Sequence, residues 1–292
     1  MITAQRRPRQ LDAPRTDDWR SRMWLDTWVW LGGGVVSGRC DAGADNSARR
    51  DPSGVQMRTR PGSLPSPVSF DAAWCATDLG EYRACRYTYE HYPYESLPSL
   101  DSDQFTGAFP WLGGIGDSIP EQVAGLDALA GELAAEGLAL PRDFVTFQTS
   151  ANLHGSLDEV SVTGCWTSIS HPLPSPVEPG AFLVRFFRDQ QDCVIWYLYL
   201  RPSSEAFVVH SHLDYEFEYE ARRDGEETGT DLDDAEGQRA AILWCAPTFE
   251  EFAHRFWTEN RLWHAVNGGD LSRVEPQLQH YLDHYAAPES SP

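Results

Sequence analysis

From Cys193 to Leu200 the chain reads Cys-Val-Ile-Trp-Tyr-Leu-Tyr-Leu, eight residues without a clear polar face. A short run of β-branched and aromatic residues between turn signals is a strand, and a strand with no polar side needs cover on both faces. Asp189-Gln-Gln-Asp192 reads as a hairpin turn before it, and Pro202-Ser-Ser204 as a turn after it. Beyond those turns lie two more strand-like runs, Ala181 to Phe187 and Ala206 to Val209. Connections of this length join antiparallel neighbours. The run at Cys193 is therefore expected at the centre of an antiparallel sheet.

Helical spacing supplies the outer layers. Ser118-Ile-Pro-Glu121 reads as a capped start, followed by Val123, Leu126, Leu129, Ala130 and Leu133, with a stop at Gly137. After Leu140-Pro141 a short helix puts Leu140, Phe144 and Phe147 on one face. Thr248-Phe-Glu-Glu251 opens a third helix with a capping box, placing Phe249, Phe252, Phe256 and Trp263 on or near its apolar face and stopping at Gly268-Gly269. Val274 to Tyr285 predicts a last helix, and Ala240 to Trp244 a further strand. The Tyr-, Trp- and Pro-rich stretch from Phe70 to Phe109 predicts short strands and loops against the main domain. Trp196, Trp244, Trp257 and Trp263 fall in core elements. The expected class is α+β: a central, mostly antiparallel sheet with flanking helices, in a single domain over residues 70–285, followed by a tail at 286–292.

Charge divides the chain. The net formal charge is −21, and all 23 basic side chains are arginine. Residues 1–70 hold 11 arginines against seven aspartates, whereas the remainder holds 12 arginines against 37 acids. Residues 1–69 read as a disordered leader, because the Gly-, Ser-, Pro- and Arg-rich stretch at 37–69 has no apolar periodicity. The apolar segment from Met23 to Val36 is interrupted by Asp26, follows a long basic stretch that contains Asp12, Asp17 and Asp18, has Arg39 where a lipoprotein signal has a small residue before its cysteine, and is too short to span a bilayer. A cytoplasmic protein without a membrane partner is expected. The acidic surface excludes broad nucleic-acid binding. The absence of lysine excludes a P-loop lysine or a Schiff base. No Cys-x-x-Cys pair occurs among the six cysteines, which argues against a disulfide framework or zinc cage; Cys193 and Cys245 read as buried packing thiols.

Two constellations bear on function. Asp214-Tyr-Glu-Phe-Glu-Tyr-Glu220 alternates without a break, so it predicts a strand anchored by Tyr215, Phe217 and Tyr219. Its other face would carry Asp214, Glu216, Glu218 and Glu220, a row of carboxylates that reads either as a solvated edge whose charge resists aggregation or as a surface suited to steering a basic protein partner. The rival constellation is histidine. His210-Ser-His212 has the alternate spacing of two ligands on one strand, and Glu250 and His254 lie one helical turn apart, as do His280 and His284. A metal-dependent or small-molecule enzyme with a pocket near His210, His212 and His254 is the alternative. No His-Glu-x-x-His, Gly-x-Ser-x-Gly or phosphate-binding glycine pattern is present. The expectation is a binder with no catalytic residue, cofactor or metal.

Helix, Leu-Pro, helix, loop, several strands and a Phe-rich helix follow one another in an order that resembles the SUKH superfamily of yeast cell-wall-regulator and bacterial toxin-immunity homologues. The resemblance rests on Ile119 to Phe147 (with Leu140-Pro141-Arg-Asp-Phe144), Phe182 to Val209, and Ala246-Pro-Thr-Phe-Glu-Glu-Phe252. It covers about half the chain, with a core at residues 115–266. Thr149-Ser-Ala-Asn-Leu-His-Gly155 stands where the family has a Gly-rich turn. The resemblance implies a non-catalytic protein-binding domain, in bacteria an immunity protein that neutralises a nuclease-type toxin.

Overall fold

Both faces of the Cys193 run are covered, which is why it carries no polar alternation. In the computed structural model it forms β6 (Ile195–Leu200), every residue of which is buried. Ile195, Tyr197 and Tyr199 enter one apolar cluster, and Trp196, Leu198 and Leu200 enter another on the opposite side. The structure describes residues 68–268 and 274–286, which belong to one compact unit spanning residues 58–292. The expected leader up to residue 67, with the Met23–Val36 segment and Cys40, lies outside the described residues, as do Gly269 and the tail from 287.

β5 (Phe182–Arg188), β6, β7 (Ala206–Ser211) and β8 (Leu243–Ala246) are consecutive antiparallel neighbours. Two short strands, β3 (Trp166–Thr167) and β4 (Leu173–Pro174), both pair with the outer side of β5. The turn at Asp189–Asp192 joins β5 to β6 as expected, with Asp189 accepting the Val194 amide at 3.0 Å. A register shift between Arg185 and Phe187 puts a bulge in β5. The extra residue sends Phe186 and Phe187 into the same cluster and returns Arg185 and Arg188 to the other face. Beside β8 lies a separate two-stranded ribbon of β1 (Ala73–Cys75) and β2 (His91–Pro93). It is tied to the sheet by a bridge from Ala72 to Trp244.

One sheet face is covered by α1 (Pro120–Ala135), α2 (Arg142–Thr149), α3 (Ser156–Val160) and α6 (Phe249–Asn267). In α6 the Thr248 side chain accepts the Glu251 amide at 3.1 Å and so caps the helix, but the Glu251 carboxylate accepts from the Tyr94 hydroxyl and pairs with Arg255 at 3.7 Å, so only the threonine half of the expected box is seen. Phe249, Phe252 and Phe256 reach Phe186, Phe187 and Trp196 at ring separations of 5.1 to 6.4 Å. The box expected at Ser118 does not form: Ile119 is the cap position and no side chain caps it. Ser118 instead bridges Ser150, so tertiary pairing takes the residue away from the helix end. Gly137 closes α1 at φ +76°, where a side chain would be strained. Trp196 is buried, while Trp244, Trp257 and Trp263 are half-buried at the edges of the core. Cys245 is buried and Cys193 only partly so.

α7 (Pro276–Ala286) closes a third cluster with Leu79, Leu262, Leu278, Tyr281 and Leu282. At its base lies buried Glu259 of α6, a residue to which sequence spacing assigns nothing. Its carboxylate accepts from Trp74 Nε1 at 2.9 Å, the Thr77 amide at 3.1 Å, Arg83 at 2.8 Å and the Tyr281 hydroxyl at 2.6 Å. Among the described residues no helix is long and apolar enough to cross a membrane.

Candidate functional site

The acidic segment is a helix. Residues 215–224 form α4 (Tyr215–Asp224), which corrects the strand expected from alternation at Asp214 to Glu220. Asp214 caps it by accepting the Glu216 amide at 3.1 Å. Glu216 and Glu218 sit in its first turn, Arg222 and Arg223 in its last, and Gly225 ends it in the left-handed conformation. Acids at the amino end and arginines at the carboxyl end complement the helix dipole. Cap, charge order and terminal glycine are all visible in the sequence, but period-two alternation masks them. The helix buries Tyr215, Glu218 and Ala221 and leaves Phe217 55% exposed, so Phe217 is not the anchor that a strand would make it.

The four carboxylates therefore do not share a face. Asp214 bridges Arg185 at 2.9 Å and Arg188 at 3.0 Å, the two arginines that the β5 bulge brings to one side. Burial opposes the Arg188 charge, but Asp192 and Asp214 more than offset it, and its guanidinium titrates above the ordinary arginine value. Glu216 pairs with Arg185 and lies 3.2 Å from His171. Glu218 is buried, accepting from the hydroxyls of Thr228 and Thr230. Only Glu220 of the four is fully exposed. Tyr197 sets the helix start: its hydroxyl donates to Leu213 O at 2.8 Å and accepts the Tyr215 amide at 3.2 Å.

The exposed acidic surface continues past the helix. Asp224, Glu226, Glu227, Asp231, Asp233, Asp234 and Glu236 are all exposed, against Arg222, Arg223 and Arg239. The stretch folds back on α4 through the Arg222–Asp233 pair at 2.8 Å and the two threonines on Glu218. Leu232 is buried beneath it, and α5 (Ala235–Ala241) follows.

The three imidazoles of the alternative do not share partners. His254 packs its ring against Phe105 and Trp111 at 5.4 and 4.9 Å, and burial followed by the Arg255 charge lowers it to about 4. Glu250, one turn away, accepts the amides of Gly107 and Phe109 and the Trp111 indole, so it anchors a loop. His280 and His284 line a surface depression with Pro98, Ser99 and Asp283, and His284 Nε2 lies 3.1 Å from Ser96 O. His210 is buried and faces Cys75 and His91; burial, then the His91 charge, lowers it to about 3. His212 is exposed. Cys75, His91 and His210 bring donor atoms within 4.8 Å of one another, a grouping formed among residues that sequence spacing leaves unconnected.

Comparison with protein families, with curated proteins and with solved structures finds no match for this chain.

Proposed function

We propose that this chain is a cytoplasmic, non-catalytic protein-binding domain of the SUKH kind, an immunity or regulatory protein that docks a basic, toxin-like partner. The carrying observation is the surface of α4 and its following loop, which exposes Phe217 and, from Glu220 to Glu236, eight carboxylates; against them stand Arg222 and Arg223, paired with Asp233 and Asp224, and Arg239. A field of one sign steers an oppositely charged protein and raises its association rate. An exposed aromatic gives such an encounter a contact to bury. The docking surface is thus the outward side of a helix and loop, with Glu220 as its contribution from the original row. Asp214 and Glu216 hold the helix on the sheet, and Glu218 holds the loop on the helix.

The test is stoichiometric co-purification from the native cytoplasm, followed by kinetics on the recovered partner. Charge reversal at Glu220, Glu226 and Glu227 should slow association about tenfold at low salt and flatten its salt dependence. Phe217→Ala should instead speed dissociation. Failure to recover a basic partner, or equal binding by the reversed variant, overturns the reading.

A further inference from the structure

We propose that Cys75, His91 and His210 form a binding site for a zinc-class transition-metal ion, fastening the β1–β2 ribbon to the main sheet. Three strands supply the ligands. Cys75 and His91 are direct partners in the antiparallel register of β1 and β2, so their side chains leave the ribbon on the same side. His210 comes from β7, and its Nδ1 lies 3.5 Å and its Nε2 3.8 Å from the Cys75 sulfur. The His91 and His210 rings meet edge to face with centroids 5.0 Å apart. The donor atoms all lie within 4.8 Å of one another. Tetrahedral zinc, with bonds of about 2.3 Å to sulfur and about 2.0–2.1 Å to nitrogen, needs separations of roughly 3.3–3.8 Å. The cluster therefore reaches metal geometry through small side-chain movements.

The surroundings favour ligation over simple packing. His210 Nε2 is 3.3 Å from the Ala73 carbonyl oxygen. A carbonyl can only accept, so this contact puts the proton on Nε2 and leaves Nδ1 bare, facing the sulfur. Fixing a histidine tautomer through a backbone carbonyl is the usual outer-sphere support of a metal ligand. Cys75 and His210 are buried, whereas His91 is exposed, so the ion has a route from solvent and a fourth position for water. Thiolate and imidazole donors select zinc or copper(I) over magnesium or calcium. Binding replaces the thiol proton with a metal–sulfur bond and releases that proton to solvent. Residues far apart in the chain are thereby cross-linked.

The experiment uses untagged full-length protein freed of metal with a chelator and titrated with Co²⁺. The expected result is saturation at one equivalent with a thiolate-to-cobalt charge-transfer band, bleached by Zn²⁺. Cys75→Ser should abolish the band. His91→Ala, at an exposed position that leaves the core intact, should weaken Co²⁺ binding at least tenfold, and Zn²⁺ should raise the melting temperature of the wild type alone. No charge-transfer band up to millimolar cobalt, or an unchanged band in Cys75→Ser, overturns the proposal and reduces the cluster to a sulfur–imidazole hydrogen bond.

Discussion

At the scale of single residues, Glu259 joins segments far apart in the chain through one buried carboxylate. It is buried with Arg83 at 2.7 Å, and both side chains are almost wholly out of solvent. Glu259→Gln leaves the guanidinium uncompensated and should cost on the order of 3–5 kcal/mol in urea or thermal unfolding. Burial alone would raise the Glu259 carboxyl. The Arg83 charge and the hydrogen bonds from Arg83, Tyr281 and Trp74 overcome that, and its titration lies below the ordinary carboxylate value. A depressed carboxylate contributes stability above its unfolded value and loses it as pH falls through the folded one. The acid limb of the stability–pH curve should therefore fall below about pH 4.5 in the wild type and be flatter in Glu259→Gln. Equal acid limbs would contradict this role. Glu259 is not legible in the sequence, because Trp74 and Arg83 lie 185 and 176 residues away.

At the scale of elements, α4 shows how alternation misleads. Tyr215, Phe217 and Tyr219 share a face in a strand but not in a helix. Arginines on the sheet decide between the two. Once Arg185 and Arg188 reach the same face through the bulge, Asp214 is drawn between them, and its side chain is already placed to cap the residues that follow. Asp214→Asn keeps the cap but loses the charge and should cost on the order of 1–3 kcal/mol; Asp214→Ala should cost about 1 kcal/mol more. Glu220→Gln should stay within roughly 0.5 kcal/mol. Urea denaturation of the three variants checks the order, and an Asp214→Asn protein as stable as the wild type would remove the arginines from the account. Elements with redundant local signals, such as α6 with its threonine cap and phenylalanines, are legible without such help. α3, a helix of five residues, is too short for its sequence to show a period.

At the scale of the whole molecule, a net charge of −21 opposes compaction. The structure answers locally, by enclosing Arg83, Arg185, Arg201 and Arg255 with carboxylates and aromatic rings rather than spreading them over the surface. Buried pairs are screened little by salt, whereas exposed acids repel through it. Shortening the Debye length from about 30 Å at 0.01 M to about 8 Å at 0.15 M salt should raise the melting temperature by roughly 2–4 °C. A melting temperature that falls over that range would mean that exposed pairs outweigh the repulsion.

Local pattern alone determined the class of fold and its centre. A doubly apolar run between two short turns had to become a central antiparallel strand, and Thr248 with Glu251 had to start a helix, because those signals act over a few residues of chain. Tertiary structure decided the rest. It made Asp214 to Glu220 a capped helix, turned Asp214 and Glu216 toward arginines, and set Cys75 against a histidine 135 residues away. Strand register and sheet packing fix such meetings, and neither is written in the spacing of neighbouring residues.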